Sequence, residues 1–264
     1  MSTIKTAPHS SALLRLQSIS LSFKGVNALS DVGFDVGDGE ICALIGPNGA
    51  GKSSLLNVIS GVYRPHRGRI FFDNAELGDI RPHVVARSGI ARTFQNLALF
   101  KSMSVLDNLL AGSQRHLRSH WLEQSLNLGR APAENLRQQR RAEEILEFLH
   151  LQALRDAIVG HLPYGLQKRI ELGRALAAEP RLLLLDEPMA GMNAGEKADM
   201  SRYIRDINHE YGTTVILIEH DIGVVMELAR HVVVLDYGRK IGDGAPEQIR
   251  CNPEVIAAYL GTRH

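Results

Sequence analysis

The run Gly46-Pro47-Asn48-Gly49-Ala50-Gly51-Lys52-Ser53 fits the pattern G-x-x-x-x-G-K-[ST]. Each residue type has a physical reason to be there. Glycines let the backbone wrap close to phosphate oxygens and turn successive N–H groups inward. Lys52 brings a mobile positive charge to the outer phosphates, and the Ser53 hydroxyl is a ligand for Mg²⁺. Ser54 follows and is counted with the loop. A second piece is Leu182-Leu183-Leu184-Leu185-Asp186-Glu187. An apolar strand ending in a carboxylate is how nucleotide enzymes hold a metal at the carboxyl edge of a sheet. Asp186 is expected to reach Mg²⁺ through water, and Glu187 to polarise the attacking water toward the γ-phosphate. Alone, an apolar run followed by Asp-Glu is commonplace; behind a phosphate loop it is the expected metal partner. Gln95, in Thr93-Phe94-Gln95-Asn96, is placed to contact metal and water. His220, after Val215 to Ile218, is placed to donate a hydrogen bond to the γ-phosphate. Glu219 and Asp221 flank it as competing acids but lack the context of Glu187.

These residues need elements to hold them. Ile41 to Ile45 is continuously apolar, as suits a strand buried on both faces, and it runs straight into the phosphate loop. Leu55, Leu56 and Ile59 then open a helix whose positive end faces the same anions. Leu182 to Leu185 and Val215 to Ile218 are two more buried strands with helical sequence between them, a βαβ unit that implies a parallel sheet. Val232 to Leu235 adds another. Ahead of the loop, Ile19, Leu21 and Phe23 alternate with Ser18, Ser20 and Ser22. Val32, Phe34 and Val36 alternate again before Gly37-Asp38-Gly39, the period of half-buried strands. Arg69 to Asp73 is a further strand. From Gln95 to about Glu179 the pattern turns helical, with Ala142, Ile145, Leu146 and Leu149 on one face. Asn252-Pro253 reads as the N-cap and first residue of a terminal helix.

Composition narrows the class. The chain has 264 residues, the length of one large domain or two small ones. Thirty Lys+Arg stand against 29 Asp+Glu, so no broad electrostatic argument favours a nucleic-acid partner. No apolar stretch approaches the ~20 residues of a spanning helix, and the N-terminus lacks the apolar region of a secretory signal. Cys42 and Cys251 make neither a disulfide framework nor a metal cluster, so a reducing cytosol is expected. One local bias stands out. Arg115, Arg118, Arg130, Arg137, Arg140 and Arg141 face only Glu123 and Glu134 in their segment. That is either a basic surface for a membrane or acidic partner or, more plainly, a solvated helical face. Trp121 lies there as a packing residue.

Taken together, these residues resemble the nucleotide-binding subunit of ABC transporters. The order matches: Phe23 before the loop, then Gln95, Leu162-Pro163-Tyr164-Gly165-Leu166-Gln167, Asp186-Glu187 and His220. The resemblance implies an α/β fold, a P-loop NTPase with a parallel-sheet core, an antiparallel β subdomain and a helical subdomain. It implies one ABC ATPase domain over 12–262. Its catalytic core with the β subdomain would cover about 12–95 and 178–245, the helical signature subdomain about 96–177, and a C-terminal helical tail 246–264. It also implies that Phe23 stacks on adenine, and that Tyr164 and Gly165 belong to the signature opening a helix, Gly165 to Ala178, whose N-terminus binds the γ-phosphate of ATP held by an opposite subunit. Pro163 stands where the family usually has serine. It offers neither hydroxyl nor N–H, so Gly165 must carry more of that contact. Leu166 replaces the usual glutamine, and Asn193 stands where many relatives have aspartate.

The likeness is closer to the branched-chain amino-acid type importers. It rests on Gly89-Ile90-Ala91-Arg92-Thr93-Phe94-Gln95-Asn96, Met103-Ser104-Val105-Leu106-Asp107-Asn108, Ala190-Gly191-Met192-Asn193, and the tail from Gly244-Ala245-Pro246 to Tyr259-Leu260-Gly261. The insert around Ser113 to Arg141 favours the larger of that system's two ATPases. The resemblance implies ATP with Mg²⁺, and a second ATPase subunit in a homo- or heterodimer. It further implies two transmembrane permease subunits, a periplasmic solute-binding protein acting indirectly, no nucleic acid, and a cytoplasmic place on the inner face of the plasma membrane. Alternative cargoes are urea or amides. A soluble non-transport ABC ATPase would usually carry two cassettes or a long coiled-coil insertion. A kinase or GTPase would leave the signature-like helix start unexplained.

Overall fold

The computed structural model describes residues 12–78, 80–95, 97–116 and 129–260. Asn96, Arg118, Trp121, Glu123 and Gly261, all named above, lie outside the described residues. Two sheets carry the structure. The first has the order β2-β1-β4-β5 and joins β1 (Ala12–Phe23), β2 (Val26–Gly37), β4 (Arg67–Phe72) and β5 (Ala75–Glu76) in antiparallel fashion. Its inward residues change phase along the strand. In β1, Leu14 and Leu16 are buried and then Ile19 and Leu21; in β2, Leu29 and then Val32, Phe34 and Val36. A bulge resolves each change: Ser18 and Asp31 take φ of 52° and 56°, inserting one residue so that both halves face the core. The β4–β5 hairpin turns on Asp73 and Asn74, both at positive φ, so Asp73 belongs to the turn and not to the expected strand.

The second sheet runs β10-β9-β3-β8-β7-β6, built from β3 (Ile41–Ile45), β6 (Ile90–Arg92), β7 (Leu182–Asp186), β8 (Thr214–Ile218), β9 (His231–Asp236) and β10 (Arg239–Gly244). All pairings are parallel except β9 with β10. The continuously apolar runs are explained by parity. Leu182, Leu184, Ile216 and Ile218 pack with α1 (Lys52–Ile59) and the antiparallel sheet. Leu183, Leu185, Val215 and Leu217 pack on the other face with the helices. Both faces are covered, so no alternation is visible.

Those helices are α3 (Val105–Gly112), α4 (Ala131–Phe148), α5 (Tyr164–Leu176) and α6 (Ala194–Tyr211), with α2 (Pro82–Ser88) beside β6. Polar side chains set their starts. Ser104 with Asp107, and Asn193 with Glu196, form reciprocal capping boxes on α3 and α6. The chain ends in α7 (Ile222–Leu228), α8 (Pro246–Arg250) and α9 (Pro253–Leu260). Asn252 caps the last through the Glu254 N–H at 2.9 Å, as its sequence predicted. The arginines of the insert turn inward in part. Arg115 donates to the carbonyls of Ala86 and Glu179, Arg137 pairs with Glu179 and Arg141 with Glu144. Among the described residues, no helix is long and apolar enough to cross a membrane.

Candidate functional site

Strands β3, β7 and β8 end at one edge of the sheet, and their loops build the site. Residues 46–51 lead from β3 into α1. Gly46 leaves the strand with φ 147°, and a Cβ there would run into the Leu235 carbonyl of β9, so the loop starts tight against its neighbour. Lys52, the first residue of α1, donates from Nζ to the Gly46 carbonyl at 2.7 Å and the Pro47 carbonyl at 2.9 Å. Burial pulls its ammonium below the ordinary lysine range, while the charges of Glu187 and Asp186 act the other way.

Glu187 follows β7 directly with φ 50°, a conformation held by its N–H donating to the Ile218 carbonyl of β8 at 3.0 Å. Left-handed backbone at a non-glycine residue costs energy and persists where the surroundings enforce it. Its Oε1 lies 2.8 Å from Nε2 of His220, and its Oε2 accepts a hydrogen bond from Gln95 Nε2 at 3.5 Å. The flanking acids have other work. Glu219 is turned inward, accepts from the Met189 N–H at 2.9 Å, and is pushed up by burial. Asp221 caps α7 through the Gly223 and Val224 N–H groups and pairs with Lys197.

A cavity of about 290 Å³ is lined by residues 48–54 with Ala28, Gln95, Glu187 and His220. The structure therefore brings together Asn48, Gly49, Ala50, Gly51, Lys52, Ser53, Ser54, Gln95, Glu187 and His220, residues distant in sequence. Gly46 and Pro47 contribute their carbonyls to Lys52 from outside the lining. Phe23, Tyr164 and Gly165 are not part of it. Phe23 ends β1 and packs edge-on against Tyr63, with ring centroids 5.1 Å apart. Tyr164 and Gly165 open α5 behind Pro163, which occupies the N-cap position with no side-chain acceptor. Gly165 is buried against α6, where a Cβ would strike the Glu196 carboxylate. A larger hollow of about 640 Å³ lies between α4 and the start of β7. Two of its arginines pair with its own glutamates, Arg137 with Glu179 and Arg141 with Glu144.

Asp186 sits just behind the cavity. Its Oδ2 is 2.8 Å from Arg92, and its Oδ1 is buried without a partner. With the Ser53 hydroxyl and the Gln95 amide oxygen, that leaves an oxygen donor set of the kind Mg²⁺ takes together with substrate phosphates. Among the described residues no cluster of three His, Cys, Asp or Glu is placed to hold a metal.

Two buried charges on α5 were not foreseen. Glu171 accepts the N–H groups of Phe94 at 3.3 Å and Ala98 at 3.2 Å, and Lys168 donates to the Gln95 carbonyl at 3.5 Å. Burial pushes Glu171 up, opposed by the Ala98 N–H and Lys168. The helix thus grips the Gln95 segment on both sides. The signal was available: Lys168 and Glu171 are three apart, on the buried side of a helix.

The family model described as ABC transporter matches residues 29–190, from before the phosphate loop to beyond Glu187. The chain belongs to the ABC transporter family. A second family model, the branched-chain amino acid ATP-binding cassette transporter, matches residues 239–264 of the cassette. Among its relatives is the high-affinity branched-chain amino acid transport ATP-binding protein BraF of Pseudomonas aeruginosa, 40% identical over 94% of this cassette and 98% of BraF. LivG of Escherichia coli, of the same description, is 36% identical over 96% of this cassette and 99% of LivG. Among solved structures, the ADP conformation of MJ1267, an ATP-binding cassette of an ABC transporter, superposes with TM-score 0.83. It is 33% identical over 96% of this cassette and 100% of that chain. The fold expected from the sequence is borne out, and the cassette is an ATPase subunit of a transporter.

Proposed function

We propose that this cassette is the ATP-hydrolysing subunit of an importer for branched-chain amino acids, acting at the inner face of the plasma membrane. The observation that carries the chemistry is Glu187 hydrogen-bonded to His220 at 2.8 Å in one cavity with Lys52. The resemblance of residues 239–264 supports the cargo. Phosphoryl transfer is mostly positioning and electrostatics. The loop N–H groups and Lys52 bind the phosphates of ATP, and Phe23 stacks on the adenine. Glu187 accepts the proton of the attacking water, and His220 holds the γ-phosphate in line. Ser53, Gln95 and Asp186 would hold Mg²⁺, which would supply neutralisation of phosphate charge when bound. Tyr164 and Gly165 serve the ATP of a second cassette, so the signature residues sit apart from their own chain's cavity.

The division into a core over about 12–95 and 178–245, a helical part over 96–177 and a tail from 246 follows from this reading. The helical part carries the α5 grip on Gln95, a route from nucleotide to two permease subunits, which a periplasmic binding protein would load. Proteoliposomes holding the cassette, a second cassette and the permeases provide the test, with binding protein inside the assay. ATP-dependent uptake of labelled leucine is expected. Uptake of urea in its place would overturn the cargo and keep the ATPase; absence of ATP hydrolysis would overturn both.

A further inference from the structure

A buried ion pair ties Asp186 to the helix behind the phosphate loop. Arg92 ends β6 opposite Leu184 in the parallel ladder, so it lies diagonally across from Asp186 on the adjacent strand. Its Nη2 donates to Asp186 Oδ2 at 2.8 Å; its Nη1 donates to Asn57 Oδ1 at 2.6 Å and Ser60 Oγ at 3.0 Å. Asn57 and Ser60 are three apart at the end of α1, the helix that begins with Lys52 and Ser53. The guanidinium also lies over the Phe94 ring, 5.3 Å from its centroid, and Gln95 comes next in the chain. One side chain therefore touches the phosphate-loop helix, the metal-side carboxylate and the segment leading to Gln95.

The pair is expensive as a staple. Arg92 and Asp186 side chains are 8% and 3% exposed, so both charges have left water. Such a pair offsets its desolvation only when the remaining polar atoms are also satisfied, and apolar replacements are often as stable. Here Arg92 Nε and Asp186 Oδ1 have no partner. Of the two carboxylate oxygens, one is committed and one is left over.

We propose that Arg92 is a positioning residue for the metal-bearing side of the site. It fixes the rotamer of Asp186, leaves Oδ1 as the single oxygen for the cation shell, and fastens that carboxylate to α1. The inference rests on the reading of Asp186 as the metal-side carboxylate. Groups that orient a metal-binding carboxylate typically change metal affinity by about 10- to 100-fold when removed.

The test is binding of a fluorescent ATP analogue to the full chain, followed by anisotropy over a Mg²⁺ titration and separately in EDTA. For Arg92→Met the Mg²⁺ midpoint should rise about tenfold or more, with binding in EDTA within about twofold of the parent. Arg92→Lys keeps the charge but lacks the planar fork that spans Asp186 and Asn57, so its midpoint should fall between. An unchanged midpoint in Arg92→Met, or an equal loss with and without Mg²⁺, overturns the proposal. If Arg92→Met does not fold, the double variant Asn57→Ala with Ser60→Ala decides, since it keeps the ion pair and removes its anchor. A raised midpoint there supports the proposal and an unchanged one overturns it. A parent protein whose nucleotide binding ignores Mg²⁺ would remove the reading of Asp186, and this inference with it.

Discussion

Glu187 is held by three separate contacts: its own N–H on β8, His220 on one carboxylate oxygen and Gln95 on the other. Replacing it with glutamine keeps the shape and removes the carboxylate proposed as the base. Glu187→Gln should therefore lower the turnover of ATP hydrolysis by at least about a hundredfold, the scale of lost general-base assistance, while ATP binding persists. Phosphate release and equilibrium binding measured on one preparation check both halves; near-normal turnover would take the role away from Glu187. Apart from Ala28, the residues lining this cavity were readable in the sequence because their chemistry demands particular types at particular places. A phosphate loop needs glycines and a lysine, and a metal edge needs a carboxylate after an apolar strand. Arg92 was not readable. It is separated from Asp186 by 94 positions, and only the pairing of β6 with β7 brings them together. Phe23, Tyr164 and Gly165 are legible as a motif, yet nothing in one chain's geometry gathers them at Lys52.

At the scale of elements, the start of α5 shows how opposed terms decide an outcome. Pro163 fills the N-cap position with extended backbone, which serine also adopts. A serine would add a cap hydrogen bond, about 1 kcal/mol of stabilisation. Losing the proline loosens the unfolded chain and removes about 0.4–1 kcal/mol. Pro163→Ser should leave the melting temperature nearly unchanged and ATP hydrolysis intact; an inactive variant would contradict the account of this helix.

A second element-scale effect sits at the opposite end of the sheet. His231, opening β9, lies 2.7 Å from Asp243 and 3.5 Å from Glu40. Its imidazole is pushed up from 6.5 to about 12, chiefly by the hydrogen bond to Asp243, then by Cys42 and Glu40. A raised histidine contributes its full stability below the unfolded value and loses it as pH climbs toward the folded one. The urea midpoint should thus fall from about pH 7 to about pH 9, and fall less in His231→Gln. Equal slopes would mean that His231 is neutral there. The two bulges were not read from the alternation, because the positive φ at Ser18 and Asp31 is a backbone response.

For the whole molecule, one sheet serves three cores among the described residues, and alternate residues of β7 and β8 belong to two of them. The sequence does not show this division, because a strand covered on both faces has no periodicity to read. The separation of Gly165 from Lys52 bears on assembly. Glu187→Gln with ATP and Mg²⁺ should double in mass by light scattering, alone or mixed with a second cassette. A mass unchanged in both conditions would sink the two-half-site arrangement. The strand order has a further consequence. Across the sheet run β3, β8, β7 and β6, and with them Lys52, His220, Glu187 and the approach to Gln95. Neighbouring strands lie about 4.8 Å apart, so the span from β3 to β6 is about 14 Å, set by backbone hydrogen bonds. On the proposed roles the sheet is a ruler, with the phosphate anchor, the γ-phosphate contact, the base and the water-side amide as its marks. Chain order reads those marks as loop, amide, base, histidine; spatial order puts the histidine between the anchor and the base. Widening or narrowing the site is therefore left to the loops and to α5, since the spacing of the strand ends cannot change without breaking the sheet.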